Sequence, residues 1–134
     1  MTGHAYRFME TIAVIDNDKD SCDLLQLILE NEGHTVQQFT SGKEFLATFK
    51  PNLFRLILMD LAMPDLDGYK LLEIVRREDP SIPVVAVTAR AYQPDRDRAR
   101  AAGFSDFVTK PFTDLPEFFQ IVLKHLRENE PTTE

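Results

Sequence analysis

Short apolar runs alternate with longer segments of mixed character along most of the chain. Ile12-Ala13-Val14-Ile15, Leu56-Ile57-Leu58-Met59 and Val84-Val85-Ala86-Val87 are apolar at every position. Continuous runs of this length suit parallel strands covered on both faces. Thr35-Val36-Gln37-Gln38-Phe39 is a weaker strand with polar centre, as expected at a sheet edge, and Phe107-Val108 marks a short fifth strand. Between them the spacing predicts helices over Asp20 to Asn31, from a Ser41 cap onward, over Tyr69 to Glu78, over Asp95 to Ala102, and from Asp114. The first would turn Leu24, Leu25 and Ile28 to one side; the last carries Leu115, Phe118, Phe119, Val122 and Leu126 at helical spacing. Gly33 reads as a helix stop, and Glu44 lies three residues after Ser41, as in a capping box. Five β–α units in succession predict an open, doubly wound α/β sheet whose chemistry lies at the carboxyl ends of the strands.

At 134 residues the chain is long enough for one domain with a real core. The periodic pattern covers residues 11–128. Residues 1–10 read as an N-terminal extension and residues 129–134 as a tail. With 43% hydrophobic residues the chain is not disordered. A net charge of −7 and a pI near 4.9 argue against nonspecific nucleic-acid binding, which needs a basic footprint. Cys22 is the only cysteine, which excludes an intramolecular disulfide and a thiolate cluster and fits a reducing, cytoplasmic setting. The first ten residues lack the apolar core of a signal peptide, and no apolar run approaches the roughly 20 residues of a membrane helix, so no membrane insertion is expected.

The strand ends carry the candidate chemistry. Asp16-Asn17-Asp18 ends the first strand, Asp60 the third and Thr88-Ala89 the fourth, while Lys110-Pro111 follows the fifth. After Asp60 comes the loop Leu61-Ala62-Met63-Pro64-Asp65-Leu66-Asp67-Gly68. An acid, a hydroxyl and an amine converging on one carboxylate suggest phosphoryl chemistry. Asp65 and Asp67 read as solvated loop acids. His4, His34 and His125 lie in an extension, a turn and a helix, and form no metal set. Cys22 reads as structural. Arg90, Arg96, Arg98 and Arg100 interleave with Asp95 and Asp97, which is the pattern of either a solvated, salt-bridged helix or a docking face.

In order and spacing these four strand ends closely resemble the receiver domain of two-component response regulators, of the chemotaxis type, over about residues 11 to 128. The resemblance implies strand order 2-1-3-4-5 and a single flavodoxin-like (CheY-like) sheet with five helices. It implies that Asp60 takes a phosphoryl group from a histidine kinase or phosphotransfer protein, chemistry for which a carboxylate is a competent nucleophile. It further implies a Mg²⁺ ion held by Asp16, the residue at position 17, Asp60 and the backbone carbonyl of Ala62. Lys110 and Thr88 would contact phosphoryl oxygens, and the switch would couple Thr88 to Phe107. Output would be onward phosphotransfer or binding of a downstream protein, without direct nucleic-acid contact, through the fourth helix, fifth strand and fifth helix.

Two positions depart from the family pattern. The second acid at the end of strand one is replaced by Asn17, which can ligate Mg²⁺ but brings no charge, so a weakened metal site is expected, with Asp18 in place to compensate in part. Phe107 stands where chemotaxis receivers commonly carry tyrosine. The loop Thr88-Ala89-Arg90-Ala91-Tyr92 is similar to that of hybrid-kinase receivers. Three other readings compete. Asn17 motivates a pseudo-receiver that binds partners without phosphorylation. A haloacid-dehalogenase-type phosphatase also has an aspartate nucleophile and Mg²⁺, but needs a second acid two residues on, where Ala62 stands. A flavodoxin-like FMN carrier needs a phosphate loop where Asp16-Asn17-Asp18-Lys19-Asp20 would repel one.

Overall fold

Among the described residues five strands, each followed by a helix, alternate: β1 (Thr11–Ile15), α1 (Lys19–Asn31), β2 (Thr35–Phe39), α2 (Gly42–Thr48), β3 (Leu56–Met59), α3 (Gly68–Glu78), β4 (Val84–Thr88), α4 (Gln93–Ala102), β5 (Asp106–Thr109) and α5 (Leu115–Glu128). The computed structural model describes residues 11–89, 93–110 and 114–128. The expected extension 1–10, the tail 129–134, the loop residues Arg90, Ala91 and Tyr92, and Pro111 lie outside the described residues. The strands form one sheet in the order β2-β1-β3-β4-β5, with every pairing parallel. β2 is an edge strand, as its polar centre suggests. Among the described residues no helix is long and apolar enough to cross a membrane.

Side chains alternate between the two faces of a strand, which divides the core. On one face Ala13, Ile15, Ile57, Met59, Val84 and Ala86 pack with residues of α2, α3 and α4; on the other Ile12, Val14, Leu56, Leu58, Val85 and Val87 pack with α1 and α5. Phe45 anchors the first side. Its ring is fully buried, meets Phe39 edge-on at 5.3 Å and stacks on Phe49 at 5.1 Å.

The helices start where their caps dictate. Asp18 accepts from Asp20 N and so begins α1, with Ser21 Oγ on its other oxygen at 3.1 Å. The buried stripe of α1 is Cys22, Leu25 and Leu29, not the expected Leu24 face; Leu24 is half exposed. Ser41 Oγ accepts from Glu44 N at 3.0 Å, while Glu44 reaches back to Thr40 N at 3.3 Å, one residue outside a reciprocal box. Gly33 and Gly103 adopt φ of +92° and +112° just past the ends of α1 and α4, a left-handed conformation open to glycine at no steric cost. Asp65 and Asp67 are exposed, as read from sequence, and in addition cap helices. Asp65 accepts from Gly42 N and Lys43 N, and Asp67 from Tyr69 N at 2.7 Å. α4 begins at Gln93, earlier than expected, because Pro94 is tolerated in a first turn.

Truncating Phe45 removes the ring that joins β2, α2 and Phe54. Phe45→Ala is expected to lower unfolding free energy by about 3–5 kcal/mol, read from the midpoint of chemical denaturation.

Candidate functional site

The parallel ladder brings the strand ends together. Ile15 pairs with Met59, and the ladder runs one residue further as Asp60 N donates to Ile15 O at 2.9 Å. Thr88 pairs with Thr109, and Lys110 N donates to Thr88 O at 2.8 Å. Asp16, Asp60, Thr88 and Lys110 therefore stand at the same edge of the sheet, the first three almost enclosed, with Asp16 2% exposed and Asp60 9%.

Lys110 joins the acids. Its Nζ donates to Asp16 Oδ2 at 2.5 Å and to Asp60 Oδ2 at 3.2 Å. The remaining oxygens accept from the backbone: Asp16 Oδ1 from Asp18 N at 2.9 Å, and Asp60 Oδ1 from Ala62 N at 3.0 Å. Burial pushes the Asp60 carboxyl above its ordinary range; the Ala62 N–H and the Lys110 charge oppose this, while the Asp16 charge adds to it. For Lys110, burial alone would lower the pKa, but the hydrogen bond to Asp16 and the charges of Asp60 and Asp16 outweigh it and raise it above 10.5. Behind the site the Cys22 thiol donates to Asp16 O at 3.2 Å. Its pKa is pushed up to about 11, chiefly by burial and then by the Asp16 charge, so it is a packed, unreactive thiol, as expected.

The loop after Asp60 is held close. Gly68 N donates to Leu61 O at 3.3 Å. A Cβ at position 68 would lie 2.9 Å from Leu61 Cα and 3.0 Å from Asp60 O, so glycine is needed for α3 to approach the backbone of Asp60. A shallow cavity of about 170 Å³ borders the loop, lined by Leu61, Ala62, Tyr69, Thr88 and Arg98 among others.

Asn17 lies beside Asp16 but is exposed. Asp18, which was expected to compensate for it, is instead committed to the start of α1 through both carboxylate oxygens. Among the described residues no group of three His, Cys, Asp or Glu side chains forms a metal cluster; the convergent acids are Asp16 and Asp60. The two carboxylates that converge there offer oxygen donors of the hard type that Mg²⁺ prefers.

Sequence reasoning did not foresee what the arginines and His125 do. Arg96 lies 4.9 Å over the Phe107 ring and donates to Thr109 Oγ1, and Arg98 lies 4.1 Å over the Tyr69 ring. His125 is buried on α5, with Nε2 3.0 Å from Asp106 Oδ2 and Nδ1 2.7 Å from Glu128 Oε1. Its spacing from Phe118 and Val122 on α5 was the available signal.

Asp60 is held above its ordinary pKa by the fold, so its ionised form destabilises the native state. That penalty is absent at acid pH and appears as pH rises through the carboxylate range. Asp60→Asn is therefore expected to raise the urea midpoint at pH 7, with the difference shrinking toward pH 3. Equal midpoints at pH 7 would contradict this electrostatic account.

Comparison with known proteins agrees with the geometry. Residues 12–123 match the response regulator receiver domain family. An uncharacterised 14.6 kDa protein of Leptolyngbya boryana is 38% identical over 85% of this chain and 88% of its own length. The regulatory protein VanRc of Enterococcus gallinarum is 36% identical over 79% of the chain but only 46% of its own length, so the chain spans about half of such a regulator. Among solved structures, a CheY-like receiver domain protein from Methanospirillum hungatei superposes with a TM-score of 0.81 at 28% identity, covering 91% of this chain and 97% of that one. The response regulator TrrA of Thermotoga maritima, solved in complex with Mg²⁺ and BeF, gives 0.77 at 25% identity over 87% and 99%. With its matched family and strand order in agreement, the chain belongs to the receiver domains of two-component response regulators.

Proposed function

We propose that Asp60 is the phosphoacceptor of a His-to-Asp phosphorelay and that its modification switches a protein-binding surface. The observation that carries this reading is the Lys110 ammonium bridging Asp16 and Asp60 at 2.5 and 3.2 Å. It sets a cation beside a buried carboxylate at a strand end. One Asp60 oxygen attacks the phosphorus of a phosphohistidine, the P–N bond breaks, and the donor imidazole leaves with the electron pair and takes a proton. The product is an acyl phosphate.

Phosphoryl transfer depends mainly on positioning and on neutralising charge at the equatorial oxygens. Lys110 neutralises part of that charge, and the Thr88 hydroxyl donates to another oxygen. Mg²⁺ would be held by Asp16, Asn17, Asp60 and the Ala62 carbonyl, and when bound it supplies further positive charge at the phosphoryl group. Reading the chain as a regulatory domain, its partners are a histidine kinase or phosphotransfer protein upstream and a protein partner downstream, in the cytoplasm. The Mg²⁺–BeF complex of TrrA supports the same chemistry here.

Asn17 favours a second reading, a receiver that binds partners without being phosphorylated, and one experiment separates the two. Incubation with acetyl phosphate and Mg²⁺ is expected to add a single phosphoryl mass to the intact protein, and Asp60→Ala to abolish it. An unmodified wild type would favour the second reading, and modification that survives in Asp60→Ala would remove Asp60 as the acceptor.

Asn17→Asp restores a carboxylate beside Asp16. It is expected to tighten Mg²⁺ binding, each 1.4 kcal/mol giving about tenfold, as read by titration of the ion. Unchanged or weaker affinity would place position 17 away from the metal.

A further inference from the structure

Arg96 on α4 makes two contacts to β5 that phosphoryl transfer itself does not use. Its guanidinium carbon lies 4.9 Å from the centroid of the Phe107 ring, and its Nη2 donates to Thr109 Oγ1 at 2.9 Å. Both partners belong to the strand that leads directly into Lys110. Thr109 also pairs in register with Thr88, and Lys110 N donates to Thr88 O. Thr109 is thus fixed to the two residues that would contact a phosphoryl group on Asp60. Arg96 is not in the sheet; it holds β5 from a helix.

We propose that Arg96 is a positioning residue that latches Phe107 and Thr109 in the unphosphorylated arrangement and so sets how readily the site is activated. This rests on the reading of Asp60 as phosphoacceptor. Drawing Lys110 and Thr88 toward Asp60 moves Thr109 and Phe107 relative to α4. A hydrogen bond of 2.9 Å is largely lost within about 0.7 Å of lengthening, and the stacking weakens with it. Contacts made in one state and lost in the other bias the equilibrium toward the first. Beside the guanidinium, between β5 and α5, lies a cavity of about 190 Å³ bordered by Thr109, Glu117, Phe118 and Ile121, so the released side chain has room to leave the ring.

The test is titration of the full chain with beryllofluoride in the presence of Mg²⁺, for wild type, Arg96→Gln and Arg96→Lys, with backbone amide NMR of each protein before and after. Glutamine keeps helix propensity and a donor but carries no charge. Arg96→Gln is expected to bind the mimic about threefold to tenfold more tightly. Without ligand, its β5 amide resonances should be displaced from the wild-type positions toward the bound ones. Arg96→Lys, with a cation but no planar fork, should fall between. A merely structural arginine would lower thermal stability without moving those resonances along that line. Wild-type affinity and wild-type amide positions in Arg96→Gln would overturn the latch and leave Asp60 as acceptor; a wild type that does not bind the mimic would overturn both. Should Arg96→Gln fold poorly, Thr109→Val removes the hydroxyl partner alone and is judged by the same two measurements, with the same displacement expected.

Discussion

Two carboxylates enclosed at one strand-end edge repel each other, and the arrangement of the site follows from how that repulsion is met. Asp16 and Asp60 are both buried, and Lys110 is the side chain that contacts both. Buried charge is tolerated only when paired and hydrogen-bonded. Each acid here meets that condition twice, with the ammonium on one oxygen and a backbone N–H on the other. The ladder makes the pairing possible, because β1, β3 and β5 deliver these residues to one edge from sequence separations as large as 94 positions. The same ammonium that stabilises the resting pocket is the group a phosphoryl oxygen would attract.

The sheet was the most legible part of the chain in its sequence, for a physical reason. Strands buried on both faces must be apolar at every position, so β1, β3 and β4 stand out as unbroken runs, and the polar residues that end them are conspicuous. Asp16, Asp60 and Thr88 were found that way and Lys110 after the shorter Phe107-Val108 pair, and the resemblance to receivers then supplied the strand order. Helix faces were less legible. Leu24 and Leu25 are equally apolar, and nothing local says that Leu25 is buried while Leu24 is half exposed. That depends on the rotation of α1 against β1 and β2. The exposed loop acids were read as solvated, which they are, but their capping role was missed because the partners are backbone groups far along the chain: Asp65 caps α2 from a loop more than 20 positions away. The N–H groups it serves carry no sequence signature.

Asp18 illustrates a competition that only coordinates show. From sequence it stands next to Asn17 and could make up a missing charge. In the structure it opens α1, taking Asp20 N and Ser21 Oγ. A cap contributes about 1 kcal/mol to a helix, and moving Asp18 toward Asp16 would forfeit that and crowd a third acid into a pocket already short of cations. The helix start therefore restricts the first strand end to one buried acid and one exposed amide.

Gly68 has a wider consequence. Because α3 begins against the bare backbone of Asp60 and Leu61, the helix acts as a mechanical stop behind Asp60. A side chain at this position would press on the peptide that carries Asp60 while leaving every charge and every donor of the site in place. Position 68 is in that sense a steric dial, separate from the electrostatic controls. For synthetic signalling circuits it offers a way to detune a receiver through its frame while its chemistry stays intact.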